Sequence, residues 1–325
     1  MSTFKAINLW FVLLLLQASS HAQQTMEKFI QETKYLLYFP ANYNEDTLKK
    51  WPLLIFLHGS GEAGDDIQKV KAHGPPELIS KGKAFPFIVV SPQSDRSNGW
   101  DEGMLYKMLK DLKKKYRVDG NRVYLTGLSM GGYGTWKFAM KYPEEFAAIA
   151  PVCGGGDSST AWRLRNIPVW CFHGAKDNVV PPTEDEKMVH ATRVYNRNVK
   201  YTVFPDAGHN SWDDTYNKND SLYEWMLRQT KFHYTEKPVT EAELKKYEGK
   251  YYNINNKDTI HISVLNGQLN AKVSAMNILL RPAGNHLFFV NEAEPTDLRF
   301  FEEKKRITGF CVMAGEKMEY AKIPK

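Results

Sequence analysis

The sequence predicts a chain of two parts: a mostly parallel β-sheet covered by helices on both faces, followed by a smaller antiparallel β domain. From about residue 33 to 233, short apolar runs alternate with helical segments, which is typical of a parallel sheet buried on both faces. From about residue 238, short strand-like runs follow one another between turn signals. This second pattern indicates a small barrel or sandwich.

The first part contains six buried strand candidates and four helix candidates. The strands are LLIFLHG (53–59), FIVVSPQ (87–93), RVYLTGLS (122–129), FAAIAPVCG (146–154), PVWCFHG (168–174) and VKYTVFPDAG (199–208). The helices are expected near 102–116, 131–141, 183–196 and 219–230. KYLLYFP (34–40) is expected to add an antiparallel edge strand.

The second part contains seven strand candidates after a short helix in TEAELKKYEGKYY. They are TIHISVL (259–265), QLNAKV (268–273), NILLRP (277–282), HLFFV (286–290), LRFFEE (298–303), RITGFCVM (306–313) and KMEYAKI (317–323). KFHYTEKP (231–238) is the predicted linker between the parts.

The N-terminus carries the pattern of a secretory signal. Lys5 is the only charged residue of the first 22, an apolar run follows it, and small residues precede Ala22. We therefore expect cleavage after Ala22 and a periplasmic or extracellular protein. The run is too short to span a bilayer, so no stable membrane anchor is expected. The predicted organisation is a signal peptide (1–22), a catalytic domain (23–233) and an accessory β domain (238–325).

Charge and cysteine content exclude several classes of function. Without Lys5 the formal charge of +6 falls to +5, and a small surplus spread along the chain is no nucleic-acid footprint. Of the three cysteines, Cys153 and Cys171 lie in apolar runs and are expected to be buried, with a bridge between them left open. No metal-ligand spacing occurs, so neither a metal nor a cofactor is expected.

The strongest chemical signal is Gly127-Leu128-Ser129-Met130-Gly131, which follows a predicted strand and opens a predicted helix. This context is the one in which G-x-S-x-G forms a nucleophile elbow, a tight turn that exposes the serine hydroxyl at the edge of the sheet. The alternative, a plain glycine turn, is disfavoured by the strand before the motif and the helix after it. Ser129 is therefore the predicted nucleophile.

A serine nucleophile needs a base and an acid that orients the base. In this strand context the chain order is serine, acid, histidine. Asp177 and His209 each follow a strand in that order, at the sheet edge where ligands bind in open parallel sheets. Asp157 is the best alternative acid. Asp206 lies on the same turn as His209, which is a poor geometry for supporting the ring.

Two further groups of residues complete the predicted site. The oxyanion donors are expected to be the backbone N–H of Met130 and that of Ser60, with Gly61 as the second choice for the latter. Trp100, Trp162 and Trp212 fall on predicted loops at the catalytic edge. They are candidates for stacking against an aromatic acyl group or a sugar, and simple loop packing is the alternative.

The motifs in residues 33–230 resemble those of α/β-hydrolases, and more narrowly the esterase and predicted-peptidase group near polyhydroxybutyrate depolymerases and carbohydrate esterase family 1. The resemblance is carried by LHGSGEAGDD (57–66), GLSMGGYGTW (127–136), IPVWCFHGAKDNVVPP (167–182) and DAGHNSWDDTY (206–216). It implies metal-free ester hydrolysis through an acyl-enzyme, with Ser129, Asp177 and His209 as the triad. The C-terminal part resembles small β domains appended to some secreted esterases.

The sequence leaves three functions to be compared. The first is a secreted esterase that acts on small or polysaccharide-linked esters, such as feruloyl or acetyl esters of plant polysaccharides. About fourteen residues separate Gly154 from Pro168, too few for a helical lid domain, and an open site suits such substrates. A serine peptidase of the prolyl-oligopeptidase type and a non-catalytic carbohydrate-binding protein on a hydrolase scaffold are the alternatives.

Overall fold

The first part of the chain forms a seven-stranded sheet of order β1-β3-β2-β4-β5-β6-β7. The computed structural model describes residues 33–95, 99–218, 220–290, 296–314 and 316–324, so the predicted signal segment lies outside the described residues. The strands are β1 (Tyr35–Tyr38), β2 (Trp51–Leu57), β3 (Ile88–Pro92), β4 (Val118–Leu128), β5 (Ala148–Val152), β6 (Val169–Gly174) and β7 (Val199–Phe204). Strands β2 to β7 are parallel, and β1 pairs antiparallel with β3 at the edge, as predicted.

Five helices accompany this sheet: α1 (Gly74–Ser80), α2 (Glu102–Lys115), α3 (Met130–Lys141), α4 (Thr183–Arg193) and α5 (Asp220–Leu227). Helix α2 shows why the sequence folds this way. Asp101 caps it by accepting a hydrogen bond from the Met104 N–H at 2.9 Å. Leu105, Leu109 and Leu112 recur at helical spacing and are buried on the sheet.

Helix α1 is absent from the sequence prediction. Pro75 and Pro76 stand in its first turn, where their missing N–H groups cost nothing because that turn has no intrahelical acceptors for them. Read along the sequence, the same Gly-Pro-Pro indicates a loop.

The second part forms a closed eight-stranded antiparallel barrel of order β10-β11-β12-β13-β14-β15-β8-β9. Helix α6 (Glu241–Leu244) precedes it. The strands are β8 (Gly249–Asn253), β9 (Thr259–Leu265), β10 (Gln268–Val273), β11 (Met276–Gly284), β12 (Leu287–Phe289), β13 (Asp297–Glu303), β14 (Arg306–Met313) and β15 (Lys317–Lys322). The sequence prediction omitted β8, which closes the barrel by pairing with β15. Closure leaves no open sheet edge in the barrel.

The barrel core is aromatic. Tyr251, Phe288, Phe300 and Phe310 are at most 5% exposed, and their rings meet mostly edge to face, the arrangement that ring quadrupoles favour. The neighbour of Phe300 in the sequence, Phe301, points outward and is 43% exposed, as the alternation of a strand requires.

The barrel packs against the α/β part, and residues Thr33–Lys325 form one compact unit. Phe289 faces out of the barrel and stacks on Tyr234 of the predicted linker, with ring centroids 5.0 Å apart. Arg165, which follows β5, forms a buried ion pair with Asp297 of β13. The side chains that join the two parts are therefore both aromatic and ionic.

No helix in the described ranges has the length and apolar character needed to cross a membrane.

Candidate active site

Ser129 stands at the turn between β4 and α3 with φ 52° and ψ −116°. A non-glycine residue in this region is strained, and such strain persists only where the surroundings enforce it. The neighbouring backbone does so. A Cβ on Gly127 would lie 2.4 Å from the carbonyl oxygen of Gly131, and one on Gly131 would lie 2.0 Å from that of Leu57. Only glycine fits at these two positions, so the turn holds the Ser129 side chain at the carboxyl edge of the sheet.

The structure brings Ser129, His209 and Asp177 into one hydrogen-bonded chain. The Ser129 Oγ lies 3.0 Å from Nε2 of His209. The Nδ1 of the same ring lies 2.8 Å from Oδ2 of Asp177. The ionised Asp177 carboxylate accepts a hydrogen bond from the Nδ1–H of His209. Nε2 therefore carries the lone pair and can take the serine proton. His209 is half-buried and Asp177 is buried, so water has little access to the pair.

Asp177 is held in its ionised form. Burial alone would raise the pKa of this carboxyl, but the hydrogen bond from His209 and those from the Val180 and Val179 N–H groups outweigh burial and lower the pKa. Both backbone donors lie 2.9 Å from Oδ1. One carboxylate oxygen is therefore fixed by the loop that follows β6, and the other is left to orient the histidine.

The two alternative acids are occupied elsewhere. Asp157 accepts hydrogen bonds from the backbone and side chain of Ser159 and caps the short 3-10 helix at Ser158–Leu164. Asp206 is exposed and pairs with Lys176 at 2.8 Å. The three residues predicted to act together are therefore the three that meet.

The loop after β2 approaches Ser129 closely. A Cβ built on Gly59 would lie 3.7 Å from the Cβ of Ser129, so the Gly59–Ser60 peptide lies beside Ser129. Ser60 and Met130 line the same cleft. The Met130 N–H belongs to the first turn of α3, whose N–H groups have no intrahelical acceptor. Gly61 lies one residue further along and is exposed.

His58 fixes this loop, a role for which the only sequence signal is its HG dipeptide at a strand end. Its Nε2 accepts the Ser94 N–H at 3.0 Å, so Nδ1 carries the proton and donates it to the Gly59 carbonyl at 2.6 Å. Burial lowers the pKa of His58, which keeps the ring neutral as this arrangement requires. The carbonyl of Gly59 and the N–H of Ser60 share one peptide plane, so His58 sets the direction of the Ser60 donor.

The three predicted tryptophans have different surroundings. Trp212 packs edge-on against His209, with ring centroids 5.2 Å apart. Trp100 is 5% exposed, and its indole N–H donates to the His58 carbonyl at 3.3 Å. Trp162 does not join them: it is buried against Cys311 and Met313 of the barrel. For Trp162 the packing alternative therefore describes the structure, because the barrel covers the loop that holds it.

A cleft of about 410 Å³ opens beside Met130, the residue that follows Ser129. Its lining includes Ser60, Trp100, Met130, Tyr133 and Lys137. Tyr133 and Lys137 are absent from the predicted site. They follow Ser129 at four-residue intervals along α3, so they lie on the same helix face as the nucleophile. That spacing is the sequence signal that would have found them.

The thiol of Cys153 lies behind the triad, within 4.8 Å of ligand-type atoms of both Asp177 and His209. We assign no metal site there, because both oxygens of Asp177 already accept hydrogen bonds, from two N–H groups and from His209. Cys153 and Cys171 are both free and buried. The register of β5 and β6 pairs Val152 with Phe172, so the two cysteines are out of register and form no bridge.

Comparisons with known proteins find relatives among ester hydrolases. Residues 99–234 match the model of the Dienelactone hydrolase family. The bifunctional acetylxylan esterase/xylanase XynS20E of Neocallimastix patriciarum is 29% identical over 151 residues, which is 44% of this chain and 21% of that protein. The probable feruloyl esterase C of Aspergillus flavus is 27% identical over 161 residues, 47% of this chain and 57% of that protein.

The crystal structure of a thermostable esterase superposes with a TM-score of 0.52 at 34% identity, covering 60% of this chain and 59% of the other. In each of these three comparisons the match spans less than two thirds of the length of the other protein. The predicted α/β-hydrolase fold and the predicted resemblance to this group of esterases are confirmed.

Proposed function

Because residues 99–234 are a dienelactone hydrolase family domain, we propose that the chain is a secreted serine esterase that works through an acyl-enzyme. The observation that carries the proposal is the continuous hydrogen-bonded chain from Ser129 through His209 to Asp177, with distances of 3.0 and 2.8 Å. The strained turn that presents Ser129 supports the same conclusion, since strain of this kind concentrates at functional sites.

The geometry supports a two-step reaction. In the first step Ser129 Oγ attacks the ester carbonyl while its proton passes to Nε2 of His209. Asp177 stabilises the resulting imidazolium, and the N–H groups of Met130 and Ser60 receive the negative charge on the carbonyl oxygen. The imidazolium then protonates the leaving alcohol as the ester C–O bond breaks. In the second step water attacks the acyl-serine by the same route, releasing the acid and restoring Ser129.

We propose esters of hydroxylated polymers, with acetyl or feruloyl acyl groups, as the substrates. The segment between β5 and β6 contains only the 3-10 helix at Ser158–Leu164, so no helical lid lies over this side of the site. The cleft presents Tyr133, 36% exposed, together with Trp100 and Lys137. Aromatic faces of this kind stack on planar acyl groups and on sugars. The acetylxylan and feruloyl esterases among the relatives point to the same class.

Labelling with an active-site fluorophosphonate tests the catalytic proposal. We expect the wild-type protein to be labelled and Ser129→Ala to be unlabelled. Ser80→Ala is the matched control, because Ser80 is an exposed serine at the end of α1, and we expect it to be labelled like the wild type. An unlabelled wild-type protein, or labelled Ser129→Ala, would contradict the proposal.

A substrate panel tests the second proposal separately. Methyl ferulate, acetylated xylan and nitrophenyl esters of increasing chain length are compared by kcat/KM. We expect acetyl and feruloyl esters to lead and activity to fall as the acyl chain lengthens. A preference for long acyl chains would overturn the assignment to polysaccharide esters while leaving the serine esterase intact.

A further inference from the structure

A second histidine lies directly behind the catalytic acid. His173 is on β6, is fully buried, and lies four residues before Asp177. Its Nε2 is 3.3 Å from Oδ2 of Asp177. The same oxygen accepts the hydrogen bond from Nδ1 of His209. The reaction described above gives His173 no part.

Both ring nitrogens of His173 face acceptors. Nδ1 lies 2.8 Å from Oδ2 of Asp185, and Nε2 lies 2.9 Å from the carbonyl oxygen of Val180. A carbonyl oxygen can only accept, and an ionised carboxylate can only accept. A neutral imidazole has one N–H, so it would leave a lone pair facing one of these oxygens in a buried site. An imidazolium satisfies both contacts.

Asp185 is placed to act as the counter-ion of His173. It is fully buried on α4, and it accepts hydrogen bonds from the Trp136 indole N–H at 2.7 Å and from the Gly154 N–H at 2.9 Å, besides the contact with His173. Three N–H donors converge on one carboxylate. Buried charges require a partner of opposite sign, and His173 is placed to supply it.

We propose that His173 is a charged positioning residue: an imidazolium, paired with Asp185, that holds the Asp177 loop in register with His209. The proposal rests on the proposed serine esterase function. One N–H anchors the loop through the Val180 carbonyl, three residues beyond Asp177. The positive charge also separates Asp177 from Asp185, two carboxylates that would otherwise repel each other through a poorly hydrated interior.

Among the described side chains that face the His173 ring, none is another cation that could pair with Asp185. Asp185 on α4 and Asp177 after β6 contact the His173 ring directly. The titratable groups next to these two carboxylates are His209 after β7, Tyr201 on β7, Cys171 on β6 and Cys153 after β5. Burial raises the pKa values of the Cys153 and Cys171 thiols and of Tyr201, so these three stay neutral.

The direction in which the pKa of His173 is shifted agrees with a charged ring. Burial by itself would lower the pKa of the ring, but the hydrogen bond and charge of Asp185, the Val180 carbonyl and the charge of Asp177 together raise it. A raised pKa means that the charged form adds stability below the ordinary histidine pKa. That stability is lost as the pH rises through the raised value.

The charge state is read directly by ¹⁵N NMR of the histidine-labelled wild-type protein. At about pH 8, exposed histidines are neutral, and we expect one histidine to keep two protonated ring nitrogens. A spectrum in which every histidine has one protonated and one unprotonated nitrogen at that pH would overturn the proposal. The measurement needs no substrate, so its outcome is independent of whether the protein is an esterase.

The functional consequence is tested through the pH profile of kcat. Deprotonation of His173 would point a lone pair at an acceptor and shift the Asp177 loop, so we expect kcat to fall on the alkaline side. Asp185→Asn removes the counter-charge and should move this alkaline midpoint down by about one pH unit or more. Asp206→Asn, an exposed carboxylate near the site, is the control and should leave the midpoint unchanged. An unshifted midpoint in folded Asp185→Asn would contradict the positioning role.

Discussion

The two parts of the molecule use strained backbone for different purposes. In the barrel, residues with positive φ lie at hairpin turns, such as Asn266-Gly267 and Lys304-Lys305, where the twist of paired strands demands them. In the α/β part, the described non-glycine residues with positive φ are Ser129 and Cys153, which directly follow β4 and β5. They adjoin the triad instead of closing hairpins. Position in the fold therefore separates turns that build the scaffold from turns that present a functional group.

The same contrast holds for buried charge. The barrel interior is aromatic, and its buried carboxylate Asp297 is used to attach it to Arg165. The α/β part buries Asp177, His173 and Asp185 side by side at the catalytic edge. Buried charges are costly unless paired, and at this sheet edge the two carboxylates are paired with histidines.

The largest predicted effect is on activity at the strained serine. We expect Ser129→Ala to lower kcat by about 10⁴-fold or more, because removing the nucleophile leaves only binding and oxyanion stabilisation. The free energy of unfolding should change little, since alanine keeps the Cβ and with it the backbone strain of the turn, and only the hydroxyl is lost. Phe301→Ala, an exposed barrel position, is the control and should keep full esterase activity.

The next largest effect is at the ion pair that joins the two parts. Arg165 and Asp297 are 5% and 0% exposed, so Arg165→Met leaves a buried carboxylate whose remaining ion-pair partner among the described residues is the partly exposed Arg299. We expect a loss of about 3–5 kcal/mol in the free energy of unfolding. The double variant Arg165→Met/Asp297→Leu should recover most of that loss in urea titrations. Equal losses in the single and double variants would mean that the pair does not hold the barrel in place.

Two glycine substitutions compare the turns directly. Gly131→Ala places a Cβ 2.0 Å from the Leu57 carbonyl oxygen, and we expect it to cost more than about 3 kcal/mol in unfolding free energy. Gly267→Ala has φ 73° but open space around the new atom, so only the left-handed backbone is penalised, at about 1 kcal/mol. Similar losses of unfolding free energy in the two variants, measured by thermal unfolding, would mean that the backbone around Gly131 has room for a Cβ.

The smallest effect concerns thiol reactivity. Burial raises the pKa of Cys311 in the barrel to about 11, and it raises those of Cys153 and Cys171 further. As the pH rises, the thiolate of Cys311 forms first, so Ellman's reagent should react with the barrel thiol before the other two. Peptide mapping identifies the modified residue. Earlier modification of Cys153 would mean that the catalytic edge is more open than the structure shows.

The sequence predicted the sheet, and it predicted that Ser129, Asp177 and His209 lie together, because both predictions depend on local patterns. Continuous apolar runs marked the parallel strands, and the glycines flanking Ser129 marked the turn. Asp177 and His209 were found because parallel strands place their carboxyl ends at one edge. Each of these inferences needs only a few adjacent residues and one topological rule.

What the sequence missed depends on contacts between distant segments. The choice between barrel and sandwich turned on β8 pairing with β15, about seventy residues away. Trp162 was placed at the cleft because no local pattern shows that Cys311 and Met313 cover it. The proposed charge of His173 has no local sequence signal, since it depends on Asp185, which is on a helix and has no motif of its own.

The central claim is that Ser129 forms the covalent intermediate, and acid-quenched mapping of the acylated protein tests it most directly. The protein is mixed rapidly with nitrophenyl acetate, quenched within one turnover, digested and analysed by mass spectrometry. We predict a burst of about one nitrophenol per protein and an acetyl group on the peptide that contains Ser129. An acetyl group on Cys153, or turnover without any acetylated residue, would contradict the account.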